Sequence, residues 1–233
     1  MMIGKTVDDV NVRMPEDTHD TGKHIPTFNA YLVVVVRDSR GNIVKVHRQR
    51  SHSPTANFIG LFLPIAYFTS NNVSYTITNV TSGTCVYQPN NTSGAQDISY
   101  PNTATNKQTY LVMIQVGSGQ QSNPYTATAL AAPIANGSGA GQLVYKSAVL
   151  PQSISINGNT AYFYVTQSFN NISGGTVTIT EVGLLLQVQL TNYNATSTTN
   201  CGQVLVWYDV LSSPISVPNA GSVTIYYTFT VNP

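Results

Sequence analysis

The sequence predicts an all-β fold, an antiparallel β-sandwich with one short helix near residues 54–64. Three observations point there. Runs rich in Val, Ile, Thr and Tyr recur from Ala30 to Val231. Clusters of Gly, Asn, Ser and Pro separate them. No second helical pattern alternates with the runs, which argues for antiparallel strands packed face to face rather than a parallel α/β sheet. At 233 residues the chain is long enough to bury a substantial core.

The elements follow in order. Residues 1–28 are polar, charged and aperiodic, punctuated by Pro15 and Pro26, and read as an extended arm ahead of a β-sandwich domain over 29–233. Ala30 to Val36 is a β-branched run suited to a buried strand. Asp38-Ser39-Arg40-Gly41 reads as a turn, with Gly41 supplying a positive φ. Ile43 to Arg50 then alternates, with Ile43, Lys45, His47 and Gln49 on one face and Val44, Val46, Arg48 and Arg50 on the other. The two strands make a hairpin. Ser53-Pro54 resembles an N-cap with proline at the first helical position. Phe58, Leu61, Phe62 and Ile65 follow at helical spacing, as a stripe that packs on the sheet. Further strands are expected over Val73–Val80, Thr84–Tyr87, Thr109–Val116, Gln142–Val149, Ala161–Phe169, Thr176–Leu190, Gln203–Val210 and Ser222–Val231.

Charge sets the chain apart. Charged residues are 8% of the whole, against roughly 25% in an ordinary soluble domain. The 10 Lys/Arg and 9 Asp/Glu nearly cancel, to a net +1. That excludes a globally basic nucleic-acid binder and an acidic disordered tail, and the 42% hydrophobic content excludes disorder of the body. From Ser53 onward only Asp97, Lys107, Lys146, Glu181 and Asp209 are charged, and all four histidines (His19, His24, His47, His52) lie earlier. In place of charge stand 21 Ser, 28 Thr and 22 Asn. With so few groups to titrate, the body is expected to fold nearly as stably at pH 3 as at pH 7. Met1 to Arg13 carries no apolar core of signal-peptide length. The longest apolar stretch, Phe58 to Phe68, is interrupted by Pro64 and too short to span a bilayer. The chain is therefore expected to be made in the cytosol and to stay soluble or assemble there.

Tests for chemistry find little. Nucleophilic catalysis needs a base beside Ser, Cys or Thr, and the body has no histidine. A glycosidase needs two carboxylates close together, and only Asp97, Glu181 and Asp209 are available. The one metal-like cluster, Asp17, His19, Asp20 and His24, lies in the arm and reads as solvated polar residues. Gly117-Ser118-Gly119 and Gly137-Ser138-Gly139 lack the Lys-Ser/Thr ending of a phosphate loop and read as turns. No catalytic residue, metal or cofactor is expected. Glu181 interrupts a strand just before Gly183. It reads as a catalytic acid or as a carboxylate accepting backbone N–H bonds at a strand kink, and the second reading is preferred.

Three sets of residues remain as candidate sites. Arg37, Arg40, Lys45, Arg48 and Arg50 make the hairpin basic against Asp38 alone, a candidate contact for a polyanion or an acidic partner. No aromatic residue lies between Arg37 and His52 to stack bases, so nucleic-acid contact is left open. Cys85 and Cys201 either form one bridge or stay as two buried thiols. Seven Asn-X-Ser/Thr sequons, at Asn72, Asn79, Asn90, Asn91, Asn136, Asn171 and Asn194, are candidate glycosylation sites.

Two stretches carry a resemblance. One is Leu32-Val33-Val34-Val35-Val36-Arg37-Asp38-Ser39-Arg40-Gly41-Asn42 with Arg50-Ser51-His52-Ser53-Pro54-Thr55-Ala56-Asn57-Phe58. The other runs from Val116-Gly117-Ser118-Gly119 through Ala129-Leu130-Ala131 and Phe169-Asn170-Asn171-Ile172-Ser173-Gly174-Gly175 to Glu181-Val182-Gly183-Leu184. Together they resemble virion structural proteins of archaeal viruses, nearest in layout to the vertex or turret proteins of turreted icosahedral viruses of thermoacidophiles and to tail-nozzle proteins. The resemblance implies a jelly-roll-like fold and a role in assembly, with no catalytic residues. The expected partners are copies of the chain in a ring-like homo-oligomer and other capsid or tail proteins, and the expected location is the virion. Alternatives are a filament subunit, or a glycan-binding adhesin presenting Tyr100, Tyr125 and Tyr193 to a host glycan.

Overall fold

A computed structural model describes residues 27–51, 53–66, 75–87, 96–99, 112–149, 154–192 and 198–232. Twelve strands, one α-helix and a short 3-10 turn at Pro124–Thr126 occur among them, and every strand pair with a defined register is antiparallel. The all-β expectation is met. The contacts divide the chain into two compact units, Met1–Ser51 with Asn136–Val177 and Ser216–Pro233, and His52–Ala135 with Thr178–Ile215. The drop in charge at Ser53 falls at the first of those boundaries, and no composition change marks the others.

The first unit is built on a six-stranded sheet. Its strands are β1 (Thr27–Arg37), β2 (Ile43–Ser51), β7 (Val144–Tyr145), β8 (Ser155–Asn157), β9 (Thr160–Asn170) and β12 (Ser222–Asn232). The order is β2-β1-β12-β9-β7, with β8 also on β9. Strand β1 starts at Thr27, so Thr27 and Phe28 belong to the sheet rather than to the arm. Its run Leu32 to Val36 shows no alternation because both faces are covered, with exposures of 0–3%. Leu32, Val34 and Val36 share their face with Val223, Ile225 and Tyr227 of β12 and with Val165 and Phe169 of β9. All are buried, and each large apolar side chain contributes roughly 1.5–3 kcal/mol. At the end of this face Phe28 stacks on Phe229 at 6.0 Å and Phe229 on Phe163 at 4.9 Å.

The β1–β2 turn is held by Asp38. Its Oδ1 accepts from the amides of Arg40 and Asn42, its Oδ2 from the Asn42 side chain, and its carbonyl from the amide of Gly41. Gly41 takes φ +83°, as the sequence requires of that position. These bonds, with the Asn42 side chain first, hold the Asp38 carboxyl below the usual carboxylate range.

The second unit contains helix α1 (Ala56–Ala66), the hairpin β3 (Tyr75–Thr78) with β4 (Thr84–Tyr87), and a four-stranded sheet of β5 (Gln96–Ser99), β6 (Val112–Gly117), β10 (Val177–Asn192) and β11 (Thr198–Val217). Strands β10 and β11 each end within the first unit, at Val177 and at Ser216–Val217. Ala127, Leu130, Leu185, Leu205 and Tyr208 form a buried cluster. Gly183 makes that packing possible, since a Cβ there would lie 2.6 Å from the Leu205 side chain. The helix starts later than expected. Pro54 is not its first residue but bridges to Trp207, because Ser53 and Thr55 exchange backbone bonds with Tyr208 and Val206 of β11. The expected sheet packing of the helix is met at Phe58, whose ring meets Trp207 edge-on at 5.2 Å.

Candidate functional site

The hairpin's five cations do not form one patch. Alternation along β2 places Arg48 and Arg50 on one face and Lys45 on the other, and Arg40 sits in the turn. Arg48 and Arg50 are exposed. Register then determines what lies beside them. Arg50 stands opposite Tyr31, Tyr31 opposite Thr228, and Thr228 opposite Tyr164. The next row runs Arg48, Val33, Tyr226, Thr166. On the other side of the Arg50 row lie Asn29, Thr230 and Tyr162. Rows are about 7 Å apart, and a row crosses about 14 Å from β2 to β9.

The rows combine arginine, tyrosine and threonine, but Asn29, Tyr31, Val33, Thr228 and Thr230 are buried, and the exposed members are Arg48, Arg50 and Tyr164. Tyr164 is 40% exposed. Arg50 donates to the Asn29 side chain through Nη2, and the rest of its guanidinium fork is available to an incoming acceptor. Arg37 donates to the Gly41 carbonyl at 3.1 Å. Burial pushes the Tyr226 phenol above its ordinary range, and the Arg37 guanidinium opposes the shift. Thr230 is 5% exposed, and its hydroxyl is a buried side-chain polar atom with no hydrogen-bond partner. What is open to an acceptor at this surface is the pair Arg48 and Arg50, which can offer charge-assisted bonds. It holds no nucleophile and base pair.

Sequence reasoning found the arginines but not the tyrosines, which lie far along the chain on β9 and β12. The alternation Tyr162, Tyr164, Thr166, Ser168 against Phe163, Val165, Gln167, Phe169 was the available signal for two distinct faces.

The other candidates are structural. Glu181 is fully buried. Its Oε1 accepts from the amides of Ala132 at 2.8 Å and Gly119 at 3.2 Å, and its Oε2 from the Ala131 amide at 3.0 Å and the Tyr208 hydroxyl at 2.8 Å. Three amides tie the 117–134 segment to β10 and the Tyr208 hydroxyl adds β11, which leaves no lone pair directed at a substrate. Burial, with Glu181 nearby, pushes the Tyr208 phenol far up. Gly117-Ser118-Gly119 serves this carboxylate, not a phosphate.

Cys85 and Cys201 form a disulfide across 116 positions, with Cα atoms 5.7 Å apart. Two sequons are committed to structure. Buried Asn171 donates from Nδ2 to the carbonyls of Gly175 and Val217, each at 2.8 Å, so a glycan there would break both bonds. Asn79 donates to the Cys201 carbonyl at 2.9 Å and accepts from Thr81 and Gly83. Asn136 is exposed and accepts from the Tyr145 amide at 3.0 Å. Asn72, Asn90, Asn91 and Asn194 lie outside the described residues, as do residues 1–26, His52, Tyr100 and Tyr193. Tyr125, the remaining adhesin tyrosine, is 57% exposed. His47 is nearly buried and bonds Gln49 at 2.8 Å. Among the described residues no group of three His, Cys, Asp or Glu could hold a metal, and no helix is long and apolar enough to cross a membrane.

No protein-family model, curated protein or solved structure matches the chain.

Proposed function

We propose that this chain is a virion structural protein of an archaeal virus, assembling as a symmetric oligomer at a capsid vertex or tail opening. One observation carries the reading. Among the described residues of the second unit only three are of the Asp, Glu, Lys, Arg and His types: Asp97 in β5, and Glu181 and Asp209, exposed 0% and 3%. A unit with so few charges has little of the repulsion that keeps copies apart and suits contact with neighbours. The carboxylate best placed for chemistry is consumed by backbone amides. The disulfide suits a particle that works outside a reducing compartment. Mass spectrometry and negative-stain imaging of particles, with an antibody to this chain, test the reading. Labelling at vertices or tail openings supports it. Particles without the chain overturn it.

A glycan-binding module is the second reading, favoured by Tyr125 standing clear at the turn Pro124–Thr126. Glycan-array binding lost on Tyr125→Ala would favour it over assembly.

A further inference from the structure

We infer that the free edge of β8 pairs antiparallel with β8 of a second copy of this chain, about a two-fold axis at Ile156. This deepens the assembly reading and rests on it.

Backbone geometry is the first argument. Strands β8 and β9 are joined by two residues, Gly158 and Asn159, with Gly158 at φ +58°. Asn157 and Thr160, which flank that turn, are the pair that exchanges both hydrogen bonds, and exchange alternates along an antiparallel ladder. Ser155 therefore exchanges bonds with Tyr162, while Ile156, opposite Ala161, turns its N–H and C=O away from β9. Among the described residues β8 pairs with β9 alone, and no described residue bonds the outer side of Ile156. A donor and an acceptor on one edge residue match the acceptor and donor of the same residue on a copy turned through half a turn. The edge is thus its own complement, which is what singles out a second copy as the occupant.

The side chains are the second. Ile156 is 76% exposed and Ile154 65%. They lie two positions apart, on one face. Pairing about Ile156 sets that side chain beside the partner's Ile156 and puts Ile154 on the diagonal to it. Sheets guard their edges with charge, proline or bulges. Residues 154–160, Ile-Ser-Ile-Asn-Gly-Asn-Thr, contain no Lys, Arg, Asp, Glu or Pro. Copies can therefore meet there without repulsion. The opposite edge of the same sheet, β2, carries Lys45 and the exposed Arg48 and Arg50.

Continuity is the third. The row that ends on Ile156 runs back through Ala161 and Val231 to Phe28. Joining two copies at β8 carries this apolar row from one six-stranded sheet into the next. The contact is small and pairs copies two by two, so within an oligomer it gains strength by repetition.

The test is sedimentation velocity of the full chain over a range of concentration, with thermal melts to show that each variant folds. The wild type is expected to show a step that doubles the mass. Ile156→Pro removes the outward N–H and keeps the bonds of β8 to β9, a placement that edge strands tolerate. The dissociation constant of the doubling step is expected to rise about tenfold or more. Ile156→Lys and Ile156→Glu each set like charges opposite one another on the axis and are expected to abolish the step. A mixture of equal parts of these two variants is expected to restore it. Ile172→Lys, at an exposed apolar residue outside the hairpin, is expected to leave it unchanged. An oligomer without a doubling step, a step indifferent to any of the three changes at Ile156, or one that mixing fails to restore overturns the inference and leaves assembly standing. A wild type that is monomeric at every concentration overturns assembly, and the inference with it. An oligomer that lacks the doubling step but enters particles only with Ile156 intact would assign the edge to a strand of another capsid protein, which also overturns pairing with a copy.

Discussion

Removing the Glu181 carboxylate is expected to destabilise the second unit strongly. Glu181→Ala leaves the amides of Gly119, Ala131 and Ala132 and the Tyr208 hydroxyl without their acceptor, around a side chain that is 0% exposed. An unsatisfied buried donor costs about 1–3 kcal/mol, reduced where water enters the space. A net loss of about 3–5 kcal/mol is reasonable for a buried network broken on one side. For a unit of about 120 residues the melting entropy is roughly 0.25 kcal/mol/K, so Tm falls by about 12–20 °C. Glu181→Gln separates charge from shape. One amide end can still accept two bonds, and the Tyr208 hydroxyl can turn to accept from the other, but one backbone N–H then faces an NH2 group. The expected loss is smaller, about 1–3 kcal/mol. Tyr208→Phe also removes the acceptor of the Gln121 amide, so the double variant with Glu181→Gln should cost less than the sum of the two. Thermal unfolding followed by near-ultraviolet circular dichroism measures all of them. A Glu181→Ala Tm within two or three degrees of wild type would refute the reasoning.

Breaking the Cys85–Cys201 bridge by Cys85→Ser/Cys201→Ser is expected to cost up to about 5 kcal/mol on the chain-entropy view for a loop of 116 residues. Denaturant melts should show it, and thiol labelling should require a reductant. Asn171→Ala removes the donors to two backbone carbonyls and the acceptor of the Ser173 amide. A loss of about 2–4 kcal/mol is expected in urea titrations, and Asn171→Asp should not recover it because aspartate lacks the donor. The Tyr208 phenol is raised in the folded state, so its contribution is complete below the unfolded value near 10 and is lost as pH rises beyond it. Stability should therefore fall above pH 10 by up to about 1.4 kcal/mol per pH unit from this residue. Melts between pH 9 and pH 12 should show a shallower fall in Tyr208→Phe.

Much of the fold was legible because its strands obey simple patterns. β4 falls on Thr84–Tyr87 as expected, and β9 and β12 extend their predicted ranges by only one or two residues. β1 announced itself as a run covered on both faces. The misses have physical causes. Gln142–Val149 was expected to be one strand, but only Val144–Tyr145 pairs continuously with β9. Lys146 and Val149 then touch β9 through separate bonds to Ser168 and Thr166. β11 runs past its expected end at Val210 to Val217, through Pro214. It is the edge strand of its sheet, where a missing N–H is tolerated. β5 carries Gln96, Asp97 and Ser99 and only one apolar residue, so nothing in its composition reads as a strand. The strand order, β2-β1-β12-β9-β7 in one sheet and β11-β10-β5 in the other, depends on pairings between distant segments and is not written in any local pattern. The candidate site divides in the same way. Basic residues in one hairpin are visible by inspection, but which of them share a face with Tyr164, Tyr226 and Thr230 follows only from register.

The most direct test of an assembly role is the mass of the full-length chain in solution. Sedimentation equilibrium over a wide range of protein concentration is expected to give a closed oligomer of fixed copy number, visible as rings in negative stain. A monomer at every concentration that converts a small molecule, with activity lost on Glu181→Gln at unchanged fold, would contradict it.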